Sequence, residues 1–256
     1  MRRTLSFLYG VVCYVAFFVS FLYVIGFVGN LLVPKSIDSG SESSLSQSLL
    51  INITLLGLFA IQHTVMARPA FKRWWTKIVP VQVERSTFVL AASLILMLLY
   101  WQWRPMPGVI WSVENPVGSA ILFGLFWLGW GTVLFSSFII NHFDLFGLRQ
   151  VWLQLTNREY HHVEFQTKSL YRYIRHPLML GLIIGSWATP RMTTGHLLFA
   201  VASTAYILIG IRFEEHDLVR FLGKDYDEYR HRVPMFIPFL RKRNSDKVIM
   251  KEEQVR

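Results

Sequence analysis

A chain of 256 residues that is 53% hydrophobic and only 16% charged lacks the polar surface of a soluble domain, in which about a quarter of residues are charged. With a mean hydropathy of +0.37, that balance excludes a soluble dinucleotide-binding enzyme, and the net charge of +10 has to be located before it argues for nucleic acid. The single cysteine, Cys13, lies in an apolar run and excludes a disulfide framework, a CxxC pair and a cysteine-built zinc site.

In chain order, residues 7–33 form the first apolar run, behind Arg2 and Arg3. The run is too long for the apolar core of a signal peptide and has no small-residue cleavage site, so it reads as a retained membrane helix. A Ser- and Gly-rich loop over 34–48 leads to further runs at 49–67, 88–103 and 117–140. Each of the four holds roughly 16–27 residues, near what a hydrocarbon core of about 30 Å demands. Residues 178–189 reach only about 18 Å as a helix, too short to cross alone, so they pair with 197–211 in a hairpin around Pro190 and Gly195.

Charge supports the hairpin. With six passes and the N-terminus inside, 23 of the 26 Lys and Arg fall on the inner side, leaving Lys35, Arg104 and Arg191 outside, a positive-inside pattern. The expected fold class is all-α, a polytopic membrane helical bundle of about five to six passes with a C-terminal helical hairpin and both termini cytoplasmic. It divides into an N-terminal transmembrane bundle (1–140), a core over 141–240 that contains the hairpin 178–211, and a flexible cytoplasmic tail (241–256). The basic excess then orients the chain and attracts anionic lipid heads, which makes membrane lipids the expected partners and nucleic acid not one.

Two inner stretches hold polar chemistry. In T-K-S-L-Y-R-Y-I-R-H-P-L-M-L-G (167–181), Pro177 opens a helix where its missing N–H costs nothing, and His176 ahead of it is pushed out of helical conformation. Arg175 and His176 therefore lead into a helix N-terminus, a place suited to an anion. Arg175 offers a bidentate fork, and Tyr171 and Tyr173 offer faces for a flat ring or a cation. A helix cap with interfacial tyrosines and snorkelling arginines accounts for the same residues without a ligand. In the second stretch Glu214 and Glu215 sit one turn beyond the last pass. Helical neighbours point about 100° apart, so one can accept ribose hydroxyls or an ammonium while the other pairs with an arginine. Gly223 ends that helix, Lys224 starts another, and residues 233–238 fold apolar side chains back, with the sequence leaving open whether they form a lid. A ligand with a carboxylate, a ribose and an onium cation suits both stretches, and S-adenosylmethionine fits that description chemically.

The arrangement of Arg175, His176, Pro177 and Gly181, then Glu214, Glu215, Leu218, Gly223, Tyr226, Tyr229, Val233, Pro234, Phe236, Ile237 and Pro238 resembles the isoprenylcysteine carboxyl methyltransferase superfamily of membrane methyltransferases. The resemblance implies a cytosol-facing S-adenosylmethionine pocket formed by Tyr171, Tyr173, Arg175, His176, Pro177, Gly181, Glu214, Glu215, Tyr226 and Tyr229. Two positions depart from the wider pattern: Ser169 stands where glycine is frequent, and Met179 where an aromatic is frequent. The strings VGNLLVPKSIDSG (28–40), IQHTVMARPAFKRWW (61–75), ERS (84–86) and NHFDLFGLRQ (141–150) resemble one branch, the bacterial methanethiol S-methyltransferases. This implies a small-molecule thiol substrate and a bacterial inner membrane, with the active site facing the cytoplasm.

A thiol attacks as its thiolate, so a general base is useful. His142, with Asp144 two residues on, ranks first, and His63 at the inner end of the second pass and His162 follow. A hydrogen-bonded structural histidine is the alternative for each, and a positive field in the pocket would replace a base altogether. Trp101, Trp103, Phe126, Trp127 and Trp130 are packing or lipid-facing residues, or line a substrate tunnel. Three other readings share parts of the pattern: a methyltransferase acting on a lipid or other hydrophobic acceptor, a haem-binding electron carrier using His63 and His142, and a transporter. Against the last, the middles of the passes nearly lack ionisable residues, which transport sites need. No metal is expected, and the sequence does not specify an oligomeric state.

Overall fold

Helix α1 (Arg2–Gly29) carries the first apolar run and stops where Asn30 turns left-handed, φ 55°, and returns its N–H to the Gly26 carbonyl. α2 (Leu45–Ala67) starts at Ser44, whose side chain accepts from the Gln47 N–H. It ends because Pro69 pushes Arg68 into an extended conformation, and Pro69 then opens the short α3 (Pro69–Trp75). α4 (Val81–Gln102) is followed by α5 (Pro116–Ile140), where Asn115 caps the Val117 and Gly118 N–H groups. Two short helices, α6 (His142–Leu145) and α7 (Leu148–Leu155), follow α5, and a 3-10 turn spans Ser169–Arg172. α8 (Pro177–Trp187), α9 (Thr194–Leu222) and α10 (Lys224–Arg232) complete the chain as far as residue 238. The structure is a computed structural model and describes residues 1–41, 43–161 and 167–238. The tail over 241–256 and His162 lie outside the described residues.

Five helices, α1, α2, α4, α5 and α9, are long and apolar enough to cross a bilayer. Side chains such as Leu8, Val12, Val15, Val19 and Leu22 leave α1 with a half-exposed apolar face, suited to lipid tails. At 11 residues, α8 reaches only about 16 Å and forms the short arm of the hairpin with α9. A two-stranded ribbon not anticipated from the sequence closes that hairpin: β1 (Val109–Ser112) pairs antiparallel with β2 (Arg191–Thr193), Val109 opposite Thr193.

α8 is held in the bundle by small residues. A Cβ added to Gly181 would lie 2.6 Å from the Gly129 carbonyl oxygen, and one added to Gly129 would lie 2.6 Å from the Gly185 nitrogen, so the backbones of α5 and α8 touch, as membrane helices do at small residues. The core beside this seam is aromatic, with Phe27, Tyr100, Trp103, Phe126 and Trp130 packed together. The aromatic wall read from the sequence therefore divides. Trp103, Phe126 and Trp130 are buried, whereas Trp101 and Trp127 face outward.

Candidate active site

Residues 169–176 approach α8 through the 3-10 turn, in which Ser169 takes φ 51°. A left-handed conformation costs an ordinary residue about 1–2 kcal/mol, which explains why glycine suits this position. His176 sits at the N-cap of α8 with Pro177 first in the helix, as the spacing predicts. The returning segment lies directly across this lead-in: the Arg175 N–H donates to the Pro234 carbonyl at 2.9 Å and the His176 N–H to that of Met235 at 3.3 Å.

Arg175 has a different occupation from the anion fork expected of it. Its Nε donates to Glu215 Oε1 at 2.8 Å, and one terminal nitrogen donates to the carbonyls of Arg230 and Val233 at 2.6 and 2.7 Å. The guanidinium thus fastens α9, α10 and the returning segment to one another. His176 Nε2 reaches the same Glu215 oxygen at 2.9 Å, and because a carboxylate only accepts, Nε2 carries the hydrogen. Glu215, with 12% of its side chain exposed, is the inward carboxylate of the pair. Glu214, 48% exposed and 3.8 Å from His176 Nδ1, is the open one.

The tyrosines near this cluster differ in exposure. Tyr226 and Tyr229 are buried, and the Tyr229 hydroxyl donates to the Tyr171 carbonyl at 2.6 Å. Burial, with the carboxylates of Glu215 and Glu214 nearby, raises the Tyr226 phenol well above its usual range. Burial, with Glu214 and Tyr229, does the same for Tyr171, and burial lifts Tyr229 to about 12. All three phenols are therefore neutral donors at pH 7. Tyr173 is on the surface, 59% exposed. Gly181 belongs to the α5–α8 seam, where its missing side chain is a packing requirement.

His142 and His63 occupy separate clusters. His142 is buried, stacked on Phe138 at 4.3 Å and edge-on to Tyr14. The Ser137 hydroxyl donates to the Leu134 carbonyl and therefore accepts from His142 Nδ1, 2.8 Å away, leaving Nε2 to accept from the Tyr14 hydroxyl at 2.9 Å. Both ring nitrogens are thus engaged within the protein. Asp144 pairs with Arg149 at 2.9 Å. His63 lies between Phe59 and Phe88, with its Nδ1 2.9 Å from the hydroxyl of Tyr206 on α9. Sequence reasoning missed Tyr206, because nothing local marks a tyrosine in an apolar helix as the partner of a histidine 143 residues away.

A cavity of about 410 Å³, lined in part by Asn30, Asp38, Phe126, Arg191 and Thr193, opens beside the β-ribbon. It lies at the end of the molecule opposite Glu214, which is about 30 Å along α9 from Thr194.

No family model and no solved structure matches the chain. Among curated proteins it is 54% identical to the methanethiol S-methyltransferase of Mycobacterium tuberculosis over 239 residues, 93% of this chain and 98% of the relative. It is also 54% identical to methanethiol S-methyltransferase 2 of Bradyrhizobium diazoefficiens over 242 residues, 94% and 93% of the two chains. The chain belongs to the methanethiol S-methyltransferase family. A more distant likeness, 28% over 206 residues, or 74% of this chain and 75% of the relative, is to nurim of Mus musculus. The family's activity implies a methyl donor and a small-molecule acceptor, and the five spanning helices make this member a multi-pass membrane protein.

Proposed function

We propose that this chain transfers the methyl group of S-adenosylmethionine to methanethiol, forming dimethyl sulfide, at the cytoplasmic face of a bacterial cell membrane. The observation that carries this reading is identity above half, across nine-tenths of the chain, with two relatives that bear that activity in their names. These side chains suit the donor chemically. Glu214 is an open carboxylate that can accept from ribose hydroxyls or an ammonium, and the neutral phenols of Tyr171 and Tyr226 stand near it. Arg175, His176 and Glu215 hold the frame beside that acceptor, and the carbonyls of residues 233–235 are bound to Arg175 and His176. When bound, S-adenosylmethionine supplies an electrophilic methyl group, and the protein's task is alignment and exclusion of water. For His142 we propose a structural role, since both of its nitrogens are engaged.

The test is headspace gas chromatography of membranes containing the protein, supplied with methanethiol and S-adenosylmethionine. Donor-dependent dimethyl sulfide is the expected result. No product, with calorimetric binding of the donor retained, moves the search to lipid acceptors. Loss of both overturns the reading.

A further inference from the structure

Polar side chains inside membrane-spanning helices are costly and concentrate at functional sites. Three of them, on two helices, converge on one oxygen: Thr64 Oγ1 donates to the Tyr206 hydroxyl at 3.3 Å, and that hydroxyl stands 2.9 Å from His63 Nδ1. Tyr206 receives the threonine hydrogen and has its own to give, and His63 Nδ1 is the acceptor within reach, so we assign that hydrogen to it. The ring is then the tautomer that carries its hydrogen on Nε2. A neutral ring whose basic lone pair is already taken is poorly placed to receive a thiol's proton. What it offers is an N–H donor.

The surroundings are cationic on one side and apolar on the other. Arg85 acts electrostatically on His63 from α4, and Arg68, at the end of α2, acts on both Tyr206 and Glu214. Arg68 Nη1 binds Asp217 at 3.1 Å, while its Nε–H is buried with no partner among the described residues. Phe59 and Phe88 form the apolar wall, with ring centroids 5.4 and 4.9 Å from that of His63. Along α9, Tyr206 precedes Glu214 by eight residues, about 12 Å of rise, which places this cluster on the membrane side of the open carboxylate.

We infer that the cluster between α2, α4 and α9 binds the methyl acceptor as a small thiolate, with His63 Nε2–H donating to the sulfur and Tyr206 acting as the positioning residue that fixes the tautomer. The inference rests on the thiol-methylating reading given above. The thiol's proton passes to water, and the sulfur is held as an anion by the His63 N–H and the field of Arg68 and Arg85, its methyl group against Phe59 and Phe88. Its electron pair then forms the new carbon–sulfur bond, while the pair of the broken bond stays on the donor's sulfur. Among the described residues, the charged groups that act on His63 and Tyr206 are Arg85 from α4 and Arg68 at the end of α2, with Glu84 and Asp144 acting in turn on Arg85 and Asp217 bound to Arg68.

Purified full-length protein and its Tyr206→Phe variant are compared in lipid nanodiscs, measuring kcat against pH with methanethiol and with the more acidic 2,2,2-trifluoroethanethiol. In the variant the rising limb with methanethiol moves up by about one pH unit, roughly tenfold less turnover at pH 7. The deficit closes with the acidic thiol, S-adenosylmethionine affinity by calorimetry stays within about threefold, and thiocyanate, an unreactive soft anion, loses its competition with methanethiol. A His63→Phe variant shows the same pattern more strongly. An interhelical staple alone would lower thermal stability without moving the limb, and that outcome overturns the inference, as does loss of S-adenosylmethionine binding in the variant. Absence of dimethyl sulfide from the wild type overturns the reaction itself and this site with it. Turnover in the wild type with an unaltered Tyr206→Phe overturns the site alone.

Discussion

Glu214 and Glu215 are adjacent on one helix but differ in surroundings. Glu215 is held by Arg175 and His176, whereas Glu214 is half-open. Their substitutions should therefore report different things. Glu214→Gln is expected to weaken S-adenosylmethionine about tenfold, or 1.4 kcal/mol, with unchanged thermal unfolding, and calorimetry that finds equal affinity would remove Glu214 from the donor site. Arg175→Ala takes the guanidinium from a mostly covered Glu215 carboxylate, which keeps the His176 N–H but loses its fixed charge partner, so the larger loss is in folding, about 3 kcal/mol, seen as a lowered unfolding midpoint in detergent. His142 gives a pH signature. Burial holds its imidazole below the ordinary histidine value of about 6.5, so its contribution to stability is complete above that value and is lost as pH falls through the lower folded-state value. Wild-type protein should lose more thermal stability between pH 7.5 and 5 than His142→Gln does, and parallel curves would exclude this source.

At the scale of elements, the passes and the motif helices were legible because their signals are local. Four apolar runs of membrane length became α1, α2, α4 and α5, and Pro177 marked the start of α8. The split between the glutamates followed from helix geometry alone. What was not legible depends on distant partners. The four residues of β1 show no alternation that would announce them, and they exist as a strand because residues 191–193 lie alongside. The guanidinium of Arg175 reads as an anion fork until the carbonyls of Arg230 and Val233, more than 50 residues away, are seen to occupy it. Gly181 reads as part of a motif, but its neighbour is the backbone of α5. Gly181→Ala should cost about 1–3 kcal/mol by overpacking, whereas Gly131→Ala, on α5 with nothing within 4 Å of the added Cβ, should leave the unfolding midpoint unchanged or slightly higher. Equal midpoints for the two variants would dissolve the seam argument.

Across the whole molecule, the polar side chains divide between two ends. One end carries the β-ribbon with Asp38, Arg191 and Thr193. The other carries Arg175, His176, Glu214 and Glu215. The short arm of the hairpin joins them, anchored at one tip by the ribbon and at the other by the Arg175 clasp. That clasp has a consequence in time. Arg175 meets its carboxylate 40 residues later in the chain and its last side-chain carbonyl 58 residues later, and at about 5–20 residues per second of synthesis the interval from Arg175 to Val233 is roughly 3 to 12 s. Until Glu215 is made, the guanidinium lacks its carboxylate and stays hydrated, which keeps the start of α8 out of the lipid while α9 is still being made. The helices are thus threaded first and the pocket is fastened afterwards, so a nascent chain is a membrane protein before it is an enzyme.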